Sequence, residues 1–268
     1  METLVQFGPR NQLVGILNGG TIDAPLLVLP NSGIVPRAGL FRLHVDLARM
    51  LEVRGVPTFR FDLPGVGEAQ RIAGCDHRQA TRAAMDHLQA HYGHGQFIIG
   101  GICSAADLGW RMAIDDPRIV GLLMLDGITF PGPWFQFGRF MAVLKRSPLQ
   151  WPAVALRLLR RSRSTQPALV ASDYRDWPDR DTARKELSAL VKREVQSLWI
   201  YTGGVSDRFL HRREFYWAFG KAARSDTITL FHWPDCDHTF FTHAHRDRLL
   251  AKVSNWLGDR YADRERGR

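Results

Sequence analysis

The chain predicts an α/β fold: a mostly parallel sheet covered by helices on both faces, with a helical insertion late in the chain. Three observations carry that expectation. Short apolar runs alternate with longer amphipathic segments along 268 residues, as βαβ units require. The apolar runs are continuous, which suits strands buried on both sides. Between two of the last runs, about 65 residues break the alternation.

The segments follow in order. "APLLVLP" (24–30) is an apolar run closed by turn residues. Residues 41–55 set Leu43, Val45, Leu47 and Leu51 among polar residues and stop at a glycine, the pattern of a helix and its C-terminal cap. "PTFRFD" (57–62) reads as a strand and 80–93 as a helix. "QFIIGG" (96–101) is the next strand, and 106–117 is a helix stopped by Pro117. "IVGLLMLDG" (119–127) is a strand; so is "QSLWIYTGG" (196–204), followed by a helix over 213–223. "TITLFHW" (227–233) and a closing helix over 246–258 complete the series.

The insertion spans 131–195, between core segments 1–130 and 196–268. Phe137, Phe140, Met141 and Leu144 recur at helical spacing, ended by Pro148. "WPAVALRLLRR" follows, with Pro152 suited to a first turn. Leu187, Leu190, Val191 and Val195 make a third helical pattern. The length of the insertion favours a helical cap over the sheet; the alternative is ordinary connecting helices packed on a face.

Net charge is +9. Much of the excess sits in "RLLRRSRS" (157–164) and the last nine residues, and no zinc-finger or RNA-binding signature accompanies it, so no nucleic-acid partner is expected. The helix at 151–161 places Trp151, Leu158 and Leu159 beside Arg157, Arg160 and Arg161, which suggests peripheral contact with an anionic membrane. No run of 18 apolar residues and no secretory leader is evident. Three cysteines, Cys75, Cys103 and Cys236, at irregular spacing fit a reducing cytoplasm better than a disulfide framework. They have no CxxC spacing, so no metal or other cofactor is expected.

The chemistry centres on "GGICSAA" (100–106), between a strand and a helix. Such a strand–turn–helix elbow needs small residues two before and two after the nucleophile. Around Cys103 these are Gly101 and Ala105; around Ser104 they are Ile102 and Ala106. Ile102 is too bulky, so the pattern selects Cys103. A free cysteine often packs as an inert small hydrophobe; the flanking small residues set this one apart. A helix N-terminus favours the thiolate. His238, in a polar turn after the last strand, is the candidate base, with His232 its rival inside the strand.

With "LVLPNSG" (27–33), "FDLPGVGEAQ" (61–70), "GVSDRF" (204–209) and "PDCDHTFF" (234–241) in this order around the elbow, the chain resembles the α/β-hydrolase superfamily over nearly its whole length. Asn31, Arg37, "RLHVDLAR" and "FRFDLPGVGE" look like the hydrolases that accompany bacterial exosortase systems. The resemblance implies an α/β-hydrolase fold and a catalytic triad, and dienelactone hydrolases show that cysteine serves there as nucleophile. It implies Asp207 as the acid that orients the histidine, with Asp126 as the alternative some members use. Asp62 is expected to fix its turn with Gly65 and Gly67. Oxyanion N–H donors are expected from Ser104 and from Ser32 or Asn31. Trp134, Phe135, Phe137 and Phe140 are candidates to line an apolar substrate pocket.

The expected activity is ester or thioester hydrolysis, or acyl transfer, through an acyl-thioester on Cys103 of a small-molecule substrate with an apolar part. The alternative is a non-catalytic binding or scaffold protein of the same fold, since fold alone does not prove activity.

Overall fold

A computed structural model describes residues 2–144, 175 and 177–262. Eight strands form one sheet in the order β1-β2-β4-β3-β5-β6-β7-β8. They are β1 (Glu2–Phe7), β2 (Leu13–Asn18), β3 (Leu26–Pro30), β4 (Thr58–Phe61), β5 (Phe97–Ile102), β6 (Ile119–Leu125), β7 (Gln196–Thr202) and β8 (Ile228–Trp233). β1 and β2 run antiparallel to their neighbours; β3 to β8 are all parallel. The helices described are α1 (Leu43–Val53), α2 (His77–Tyr92), α3 (Ser104–Asp115), α4 (Pro133–Leu144), α5 (Arg180–Lys192), α6 (Arg213–Phe219) and α7 (His243–Leu257).

The sheet carries a core on each face because successive side chains of its strands point to opposite sides. Leu26, Val28, Ile99, Met124 and Trp199 join the core built with α2, α3, α5 and α6. Leu27, Leu29, Ile98, Leu123 and Ile200 face α1 and α7 on the other side. This is why the central strands read as unbroken apolar runs rather than as alternating ones.

Two features depart from the sequence expectation. β1 and β2 precede the predicted alternation. β1 exposes Leu4 and buries Val5 and Phe7, and β2 contains Gly15, over which the Phe59 ring lies so close that a Cβ would collide with it. A half-exposed edge strand and a strand with a central glycine give only a weak apolar signal.

The second departure concerns the insertion. α5, within the span expected as cap, packs on the sheet. Ala183, Leu187 and Leu190 join the main core, Trp110 of α3 donates to Glu186 at 2.6 Å, and Arg193 donates to the carbonyls of Ala113, Asp116 and Ile119. The third helical pattern therefore belongs to the core layer. α4 lies against α6, with Gly138 close to Leu210. The side chain of Phe140 and the basic helix at 151–161 lie outside the described residues.

No described helix is long and apolar enough to cross a membrane.

Candidate active site

The carboxyl ends of β3, β5, β6, β7 and β8 converge at one edge of the sheet, where ligands of open parallel sheets bind. Cys103 follows β5 and caps α3, with φ 57° and ψ −117°. That conformation is strained for a side chain bearing a Cβ, at a cost of about 1–3 kcal/mol, and it survives because its surroundings over-determine it. Glycines make the surroundings tight. A Cβ on Gly100 would collide with the Leu123 carbonyl, and Gly109 lets α3 lie against the β5 backbone. Gly101 and Ala105 face each other across the elbow, the small pair that the sequence singled out. Cys103 N–H donates to the Leu125 carbonyl at 2.8 Å, tying the elbow to the end of β6.

His238 lies in the turn after β8, near enough to Cys103 for each to shift the other's ionisation. Its Nδ1 lies 2.7 Å from Oδ2 of Asp126. Asp126 follows β6, is fully buried, and takes φ 49°. Thr202 holds its carboxylate through the backbone N–H and the hydroxyl, both at 2.7 Å. The carboxylate thus accepts from fixed donors on one side and meets the histidine on the other, leaving Nε2 of His238 for the thiol.

Asp207, the acid expected from the resemblance, is not at the histidine. It is exposed and pairs with Arg208 at 3.2 Å. The reason lies in the turn after β7. Gly203 and Gly204 pass so close to the histidine loop that a Cβ on either would strike Pro234 or His238. The chain next to His238 there is bare backbone, and the Asp207 side chain emerges beyond it. The alternative acid, Asp126, is the one brought to His238.

Electrostatics follow the geometry. The hydrogen bond to Asp126, then the one to Cys103, push His238 up to about 9 against the opposing effect of burial. Burial pushes the Cys103 thiol up, but the His238 contact and the charge of Arg175 outweigh it, leaving the thiol below its ordinary range. The other cysteines go the opposite way: burial raises Cys75, and burial with nearby carboxylates pushes Cys236 up to about 12. All three cysteines are free.

The turn after β3 faces the elbow. Ser32 Oγ donates to the Ile102 carbonyl at 2.7 Å, and Gly33 N–H donates to Ser104 Oγ at 2.9 Å. Asn31 does not fit the oxyanion role expected of it. Its N–H is committed to the Phe61 carbonyl at 3.1 Å, and its buried side chain bridges the Gly33 carbonyl and the Leu63 N–H. The Ser104 N–H lies in the first turn of α3, where no intrahelical acceptor exists, and Ser32 forms an isolated antiparallel bridge with Val35, whose N–H donates to the Ser32 carbonyl at 3.0 Å. Asp62 plays the structural part expected of it, holding the Arg37 N–H and guanidinium at 2.6 and 2.5 Å, and Gly67 packs on its carboxylate.

Of the aromatic candidates, Phe135 is 5% exposed and serves packing, whereas Trp134 and Phe137 are 37% and 54% exposed and meet edge to face. Arg213 lies over the Trp134 ring at 4.4 Å.

Sequence reasoning missed Asp107, Arg175 and Trp177. The Arg175 guanidinium donates to the carbonyls of Cys103 and Asp126 and to the Asp107 carboxylate, while stacking on Trp177. Asp107 carried a signal, since it lies one helical turn after the nucleophile. Arg175 carried none, being one arginine among the aspartates of "SDYRDWPD" (172–179). Among the described residues, no group of three or more His, Cys, Asp or Glu could hold a metal ion.

The sequence matches no protein-family model and no curated protein. Solved structures are similar throughout the chain. A Pyrococcus furiosus esterase is 12% identical with a TM-score of 0.61, covering 98% of this chain and 91% of its own. The α/β hydrolase GrgF from Penicillium is 14% identical with a TM-score of 0.59, covering 98% and 99%. The esterase domain of a Rhodothermus marinus protein is 15% identical with a TM-score of 0.56, covering 98% and 100%.

Proposed function

From this α/β-hydrolase fold and the contents of its carboxyl edge, we propose that the protein is an acyl-transfer enzyme of the esterase or thioesterase kind, working through a Cys103–His238–Asp126 triad. The observation that carries the reading is the strained cysteine on the elbow, together with a histidine whose Nδ1 is held by a buried carboxylate. Inert cysteines have no need of that arrangement, whereas a thiolate nucleophile does.

Cys103 attacks the acyl carbonyl as a thiolate, with the proton held on His238 Nε2. The carbonyl oxygen becomes an oxyanion facing the N–H groups of Ser104 and Ser32. His238 gives its proton to the departing alcohol or thiol, leaving an acyl-thioester on Cys103. An incoming water, or another nucleophile, then loses a proton to His238 as it attacks, and the thiolate leaves. Asp126 holds the imidazole in the required orientation and stabilises its protonated form. Trp134 and Phe137 supply an exposed apolar surface for the substrate's acyl chain. The esterases among the similar structures agree with this class of reaction.

The test is turnover of p-nitrophenyl esters and acyl thioesters over a series of chain lengths, by wild type and by Cys103→Ala. The reading expects measurable hydrolysis of at least one series and its loss in the variant. Turnover that survives Cys103→Ala removes the nucleophile assignment.

A further inference from the structure

We propose that Arg175 is the positioning residue of the site: its one guanidinium locks the nucleophile turn and the acid turn into register and lends the thiolate its positive charge. This rests on the triad reading above and adds a residue to it from outside the three.

The geometry is specific. Cys103 and Asp126 end neighbouring parallel strands, paired through Ile102 and Leu125. Both residues take positive φ, 57° and 49°, so neither turn is held by backbone preference alone. Arg175 Nη2 donates to the Cys103 carbonyl at 2.9 Å, and Nη1 donates to the Asp126 carbonyl at 3.1 Å. Its Nε pairs with Asp107, whose own N–H donates to the same Cys103 carbonyl at 3.2 Å. The result is a closed ring: elbow carbonyl, guanidinium, carboxylate and back through the helix. Trp177 lies against the guanidinium plane at 4.6 Å to its ring centre.

The ion pair is nearly dry. The Arg175 and Asp107 side chains are 9% and 12% exposed. Burying a guanidinium is costly unless its donors are satisfied, and here each arm of the fork has an acceptor. All three guanidinium nitrogens are tied to the protein, so these contacts assign Arg175 to orientation. Lysine cannot replace it in full, because one ammonium point charge does not reproduce a planar fork that spans three acceptors. The Arg175 charge also favours the Cys103 thiolate.

Two readouts separate this role from a merely structural one. The first is the pH dependence of iodoacetamide labelling of Cys103, followed by peptide mass spectrometry; it needs no turnover. The second is kcat and KM on the best ester substrate. In Arg175→Met the labelling midpoint should rise by about one pH unit, and kcat should fall about 10- to 100-fold with KM changed less than about threefold. Arg175→Lys should return the midpoint toward wild type while kcat stays at least about fivefold low, since charge is restored and the fork is not. If Arg175→Met does not fold, the lysine variant decides alone: wild-type kcat in Arg175→Lys overturns the proposal. So do a folded Arg175→Met with unchanged midpoint and kcat. A wild-type Cys103 that labels no faster than Cys75 removes the triad reading and this inference with it. A fast wild-type Cys103 beside unaltered Arg175 variants removes the inference alone.

Discussion

Nδ1 of His238 lies 2.7 Å from the carboxylate of Asp126, which is fully buried at the end of β6. The histidine is therefore oriented from the strand next to the one that leads into Cys103, not from the turn after β7. Asp126→Asn should lower kcat by about 10²- to 10⁴-fold, because an amide places the wrong tautomer or orientation on the imidazole. Asp207→Asn should leave kcat within about twofold, as expected for an exposed partner of a surface pair. Steady-state kinetics on both folded variants check this. A silent Asp126→Asn would reassign the acid.

The same contact has a consequence for stability. His238 is raised from its ordinary 6.5 to about 9 in the fold, by the Asp126 hydrogen bond first. A group whose pKa rises on folding stabilises most below its unfolded value and loses that contribution as pH climbs through the folded one. The melting temperature of wild type should exceed that of His238→Ala most near pH 6, and the gap should narrow between about pH 6.5 and 9. Scanning fluorimetry of both proteins across that window is the measurement. A gap that widens with pH would mean that the histidine is not held as a cation by Asp126.

Ser104 is not the proposed nucleophile, yet its hydroxyl is not idle. It accepts from Gly33 N–H at 2.9 Å and lies 3.5 Å from Ser32 Oγ, so it braces the turn that presents the Ser32 N–H. Ser104→Ala should lower kcat by about 3- to 30-fold through a looser oxyanion site, which is less than the loss of a whole donor. Cys103 labelling should stay near its wild-type rate. Abolished labelling together with abolished turnover would show that the elbow itself had shifted.

Trp134 and Phe137 offer the apolar surface proposed for the acyl chain. Single alanine variants should reduce kcat/KM for octanoyl esters by about 3- to 30-fold while acetyl esters change less than about twofold, the size expected for a few buried methylene groups. Equal losses on both substrates would place these rings in folding rather than recognition.

Much of the layout was legible in the sequence. Parallel strands buried on both faces leave continuous apolar runs, and β3, β5, β6 and β7 were visible for that reason. The elbow was legible because its sterics act on neighbours in sequence: Gly101, Cys103 and Ala105 constrain each other locally. The acid was not, because Asp126 and Asp207 both follow sheet strands, and the choice rests on which turn leaves room beside His238. That depends on Gly203 and Gly204 meeting residues some thirty positions away. Asn31 misled in a similar way: its place in the turn suits an oxyanion donor, but its N–H is spent on Phe61 across the sheet. The helical pattern of α5 was plain, but periodicity tells which face is apolar, not which layer covers it.

The most direct measurement is the site of the acyl group. The protein is mixed with an activated ester, quenched in acid within seconds, digested and mapped by mass spectrometry. The account predicts an acyl mass on the peptide containing Cys103, localised to the sulfur, accumulating further in His238→Ala if attack still occurs and absent from Cys103→Ala. An acyl group on Ser104, or hydrolysis at the wild-type rate by Cys103→Ala, would contradict it.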